Sequence, residues 1–137
     1  MAYSDLYANF FSFCQKTGLA FSALWRFIPT RLYFVAIFIW QAVLWWFSFF
    51  IYRSLTGDIL VLHYNVNFGI DLIGSPERIF SYPAFALSIA LAHIIIAAGF
   101  YKNKDFKTFI HLLLASAFSF GLIIGASLFF IYFINFK

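Results

Sequence analysis

Three long apolar runs organise this chain. Residues 32–52, 79–101 and 109–136 contain no Asp, Glu, Lys or Arg. A helix needs about 20 apolar residues to cross the hydrocarbon core of a bilayer. Each run therefore predicts a transmembrane helix. Flanking residues place the spans at 30–53, 76–101 and 105–136. Thr30, after Pro29, is the expected cap of the first helix, and Gly57 follows its end. Ser75, Pro76 and Glu77 form a cap, a first helical position and an acidic first turn for the second; Asp105 caps the third.

A different pattern fills residues 57–75. Leu60, Leu62, Tyr64, Val66, Phe68, Ile70 and Leu72 alternate with His63, Asn65, Asn67, Gly69 and Asp71. Period two is the signature of a strand, not a helix. One straight strand over these residues would reach about 40 Å, too far for a short loop. A bend is expected around Asn67, Phe68 and Gly69, because Asn and Gly tolerate turn angles. The loop is thus predicted as hairpin-like. Its apolar face rests on the membrane surface or the helix ends, and its polar face meets solvent or a partner.

Residues 1–29 are apolar but carry Gln15 and Lys16 at their centre, which argues against a fourth span. Tyr3, Tyr7, Phe10, Cys14, Phe21, Trp25 and Ile28 recur near helical spacing. This predicts an interfacial amphipathic helix, broken near Gly18, that anchors the chain or docks a partner. The fold class expected is an all-α membrane protein: three transmembrane helices, an N-terminal interfacial helix and a short hairpin-like outer loop, as one domain over 1–137.

Composition agrees with this. The chain is 64% hydrophobic and 10% charged, against roughly 45–50% and about 25% in soluble domains. The 22 Phe residues match the bias of an AT-rich genome and are not read as an aromatic cage. Cys14 is the lone cysteine, so no internal disulfide is possible. The net charge of +4 is scattered, which speaks against nucleic acid as a partner.

Charge does orient the chain. Lys16, Arg26, Arg31, Lys102, Lys104 and Lys107 fall on one side of a three-span topology, and Arg53, Arg78 and Lys137 on the other. The positive-inside rule places the N-terminus in the cytoplasm, and the C-terminus and residues 57–75 outside. No cleavable leader is visible, so the first span is expected to act as a signal anchor.

Polar side chains inside the spans are the first candidates for chemistry. In hydrocarbon an unpaired polar group is costly, so each should face protein or water. Counted from Leu32 and Tyr101, Gln41 and His93 both lie about 12–14 Å deep. Ser116 and Ser119 are level with them. One self-satisfying layer of Gln41, His93, Ser116 and Ser119 is expected, acting as interhelical glue. A proton relay at His93 is the alternative, though no acidic residue occurs in any run. Ala117, Gly121 and Gly125 form a small-residue row on the third helix, and Ala86, Ala90 and Ala97 share a face on the second. Such rows permit close helix packing, within the chain or with another copy. His111 is expected to be a boundary residue.

In the outer loop, His63, Asn65, Asn67 and Asp71 are candidates for partner recognition. His63 and Asp71 are too few ligands for a closed metal site. No catalytic constellation, cofactor motif or metal centre is expected. The motif "LHYNVNFGIDLIG" at 62–74 resembles that of small, uncharacterised multi-pass bacterial membrane proteins, in which LHYN is followed by FG, an acidic residue and IG. The resemblance implies an ordered outer loop and carries no activity. A Phe-rich organellar membrane subunit fits the same composition. The function expected is a non-enzymatic membrane scaffold or accessory subunit, embedded in lipid, that offers its outer loop to a protein partner. A homo-oligomeric channel or transporter component is the alternative.

Overall fold

The computed structural model describes the backbone of residues 2–65 and 69–136, and the side chains of 7–63, 69–70 and 72–136. Five helical segments and one hairpin follow each other: α1 (Ala2–Arg26), α2 (Ile28–Ser54), β1 (Leu60–Asn65), β2 (Gly69–Gly74), a 3₁₀ turn (Pro76–Phe80), α3 (Ser81–Gly99) and α4 (Phe106–Phe136). Three segments, Ile28–Ser54, Pro76–Gly99 and Phe106–Phe136, are long and apolar enough to cross a membrane. The chain has the architecture of a small multi-pass membrane protein, as the apolar runs predict.

α4 is the central helix and packs along both α2 and α3. Its buried residues are Ile110, Leu114, Ala117, Gly121, Ile124, Leu128 and Ile131. The steps alternate four and three without exception, a 3.5-residue repeat. That period keeps one seam facing its neighbours along the whole length and belongs to left-handed packing. On α3 the seam runs through Pro83, Ala86, Ala90 and Ala97, with half-buried His93 in step between the last two. On α2, Thr30, Leu44 and Ile51 are buried at multiples of seven.

Two apolar clusters lie at opposite ends of the bundle. One gathers Leu44, Ile51, Ile79, Ile124, Leu128 and Ile131 with Leu60 and Leu62 of the hairpin. The other gathers Leu24 of α1 with Ala97, Ile110 and Leu114. Leu24 and Ala20 are the buried anchors of α1, one turn apart, and they tie its end to the bundle. Tyr7, Phe10, Phe11 and Phe13 further back are exposed.

Some boundaries differ from the sequence reading. α1 runs unbroken through Gly18, which has open space around it; one glycine weakens a helix by about 1 kcal/mol but does not end it. α2 begins at Ile28 with Phe27 as N-cap, so Thr30 is not a cap. It lies in the first turn, fully buried, and its Oγ1 has no hydrogen-bond partner among the described residues. Ser75 occupies the N-cap of the 3₁₀ turn without a side-chain capping bond. Ahead of α4 it is the Asp105 carbonyl that accepts the Phe109 N–H, at 3.1 Å.

Thr30 provides a direct test of the packing. A buried hydroxyl without a partner costs about 1–3 kcal/mol. Thr30→Val keeps the branched shape and removes that group. It is expected to stabilise the bundle by about 1 kcal/mol, measured by steric-trap unfolding in bicelles. A loss of stability would mean that the hydroxyl is bonded.

Candidate functional site

The hairpin forms because period-two residues flank a glycine that can turn. Gly69 has φ 77°, the left-handed region that favours glycine. Of the expected bend, Asn67 and Phe68 lie outside the described residues. β1 and β2 pair antiparallel, with Leu60 opposite Gly74, His63 opposite Leu72 and Asn65 opposite Gly69. Two irregularities interrupt the register. β1 carries an extra residue, Leu62, between Val61 and His63, and β2 carries an extra residue, Asp71, opposite the step from His63 to Tyr64.

Those irregularities overturn the clean division into polar and apolar faces. His63 faces the same side as Leu72, because residues opposed across a ladder share a face. Leu60 and Leu62 are buried against the helix ends, as expected of the apolar set. Ile70, Leu72 and Ile73 of β2 are instead 57%, 47% and 55% exposed. The apolar surface of this loop therefore points both into the bundle and away from it. Asn67 lies outside the described residues, as do the side chains of Asn65 and Asp71, so the recognition set proposed from sequence is placed only at His63, which is exposed.

One residue that the sequence did not single out fixes the hairpin. Asn135, at the end of α4, accepts the Val61 N–H on Oδ1 at 3.0 Å. Its Nδ2 donates to the Val61 carbonyl at 2.8 Å and to the Ile131 carbonyl at 2.8 Å. The side-chain amide thus pairs with a strand residue as a neighbouring strand would. A two-stranded hairpin is marginal alone; here burial of Leu60 and Leu62 and this clamp hold it to α4.

Inside the bundle the expected polar layer divides. His93 Nδ1 lies 2.8 Å from the Ile89 carbonyl, and its Nε2 lies 3.4 Å from Ser116 Oγ on α4. Gln41 does not join them. Its Nε2 donates to the Pro83 carbonyl at 2.6 Å, ten residues along α3 from His93, or about 15 Å. The reason is in the helix bounds. Gln41 is thirteen residues from the start of α2 and His93 six from the end of α3, so their depths differ by about 10 Å. Ser119 is exposed and donates back to the Ala115 carbonyl at 2.9 Å. His111 is more than a boundary residue. Its ring meets Phe27 edge-on at 5.3 Å, and its Nδ1 lies 3.4 Å from the Tyr33 hydroxyl.

Both small-residue rows are used within the chain. Ala86, Ala90 and Ala97 are buried, as are Ala117 and Gly121. The glycines do not admit a backbone, however; they admit an indole. A Cβ on Gly121 would stand 2.9 Å from Trp40 Cδ1, and one on Gly125 would stand 2.7 Å from Trp40 Cζ2. Trp40 of α2 packs against both. Among the described residues, no three His, Cys, Asp or Glu side chains gather at one place. Comparison of the chain with protein-family models, curated proteins and solved structures finds no match.

Proposed function

We propose that this chain is a non-enzymatic membrane scaffold or accessory subunit that presents its hairpin to a protein partner. One observation carries the reading: β2 exposes Ile70, Leu72 and Ile73 on a hairpin that Asn135 and two buried leucines hold still. Exposed apolar side chains on a fixed frame bind with little ordering cost. The distribution of Lys and Arg supports a cytoplasmic N-terminus and an outer hairpin.

Photocrosslinking in native membranes tests both parts. A photoreactive residue at Ile73 is expected to trap a defined protein, while one at Phe130, exposed on α4, traps lipid. Lipid adducts alone at Ile73 would remove the proposal. For orientation, Cys14 is first replaced by Ser. A membrane-impermeant thiol reagent should then reach a cysteine at Gly57 from outside, and not one at Asn103. The reverse pattern would invert the topology.

A further inference from the structure

A long groove runs between α1, α2 and α3, away from the hairpin. It encloses about 590 Å³, and its lining includes Trp25, Phe34, Leu87, Leu91, Arg31 at one end and Gln41 at the other. Its volume is within the range of small-molecule sites. Arg31 and Gln41 are ten residues apart on α2, which is about 15 Å. That is half of a ~30 Å hydrocarbon core. The groove therefore extends from the membrane interface at Arg31 to mid-membrane at Gln41, the depth of one leaflet.

Its interfacial end is built to hold a cation in place. The Arg31 guanidinium sits 5.5 Å above the Trp25 ring, and its Nε donates to the Trp25 carbonyl at 2.7 Å. Trp25 and Phe34 stack with ring centroids 6.4 Å apart, and Phe21 stacks on Trp25 at 6.3 Å. The three rings form the wall on which Arg31 rests. Among the described residues the two Nη groups of Arg31 have no partner, and together they match the two oxygens of a phosphate. This end of the bundle also carries Arg26, Lys102, Lys104 and Lys107, with Asp105 in the short loop between α3 and α4. At the hairpin end, Arg53 and Arg78 stand beside Asp58 and Glu77.

We infer that this groove binds one phospholipid with an anionic headgroup, from the leaflet on the α1 side. The phosphate meets Arg31, as any phospholipid's could; an anionic headgroup is preferred because a choline would add a cation beside Arg26, Lys102, Lys104 and Lys107. An acyl chain follows the apolar wall toward Gln41. A second groove, about 320 Å³ between α2 and α4, is lined by Trp40, Val43, Phe47, Leu122 and other apolar residues with no charged side chain. It offers no cation to select a headgroup.

The test uses the full chain in nanodiscs made from equal parts of phosphatidylglycerol and phosphatidylcholine. Gentle delipidation and native mass spectrometry then read which lipid stays bound. Wild type is expected to retain phosphatidylglycerol over phosphatidylcholine by about fivefold, the factor that one interfacial cation contributes. Arg31→Gln should lower the ratio toward what the remaining cations sustain, and Arg31→Lys, which keeps the charge but loses the two-pronged guanidinium, should keep part of it. Leu91→Trp fills the groove and should lower the retention of phosphatidylglycerol with every charge in place. Arg53→Gln, at the other end, should change nothing, and added inorganic phosphate should not displace the lipid. Equal retention by wild type overturns the inference. So does a preference that is undiminished in Arg31→Gln or disappears in Arg53→Gln. Undiminished retention in Leu91→Trp rejects the groove, and displacement by phosphate rejects an acyl-chain site.

Discussion

Gly125→Val is expected to destabilise the bundle by about 1–3 kcal/mol, the usual cost of forcing carbon into a filled core. The new Cβ would stand 2.7 Å from the Trp40 ring and 3.4 Å from Leu44 Cδ2. The same indole packs over Gly121, where an added Cβ would stand 2.9 Å from Cδ1, so the ring is seated on both glycines. Phe118 stands beside it at 6.5 Å. Two controls isolate the steric cause. Gly18→Ala, in open space on α1, should stabilise its helix by about 0.5–1 kcal/mol. On a Trp40→Leu background, Gly125→Val should cost less, with a coupling of about 0.5–3 kcal/mol between touching residues. Reversible unfolding in bicelles measures wild type and the four variants, Trp40→Leu among them. Additive effects of the two core substitutions would show that the ring does not rest on Gly125.

Asn135→Leu is expected to release the hairpin and cost about 2–4 kcal/mol. Size and length are nearly kept, but the N–H and C=O of Val61 both lose their partner, and each unsatisfied group costs about 1–3 kcal/mol. Asn135→Asp should not rescue, since a carboxylate can accept the Val61 N–H but cannot donate to its carbonyl. Hydrogen exchange at the Val61 amide should rise by orders of magnitude in Asn135→Leu, and by less in Asn135→Asp, which keeps an acceptor for that N–H. Exchange at Leu114, in the distant apolar cluster, should not change. A Val61 amide that stays protected would mean that leucine burial alone holds the strand.

What could be read from sequence follows from contrast between neighbouring residues. The spans were legible because charge is missing over long runs. The hairpin was legible because polar and apolar residues alternate, and Gly69 marked its turn. Its faces were not, because one extra residue on each strand changes which side chains share a side. The 3.5-residue seam of α4 stayed hidden for a related reason. Leu112, Ile123 and Phe130 on the exposed face are as apolar as Leu114, Ile124 and Leu128 on the buried one, so no polar periodicity exposes the repeat. Gly121 and Gly125 announced a close approach but not its partner. Trp40 lies 81 residues earlier than Gly121, and nothing local joins them. Asn135 was overlooked as one amide near a helix end, and only its distance to Val61 gives it a role. The expected polar layer depends on where each helix begins and ends. A shift of a few residues in the helix ends separated Gln41 from His93.

The lengths of the helices have a mechanical consequence. α4 has 31 residues and α3 has 19, or about 46 Å and 28 Å. α3 matches a ~30 Å hydrocarbon core, whereas α4 must lean or project beyond it. Asn135 grips the strand near the tip of this longer rod. The strand is thereby tied to a span whose length exceeds the core rather than to the shorter α3.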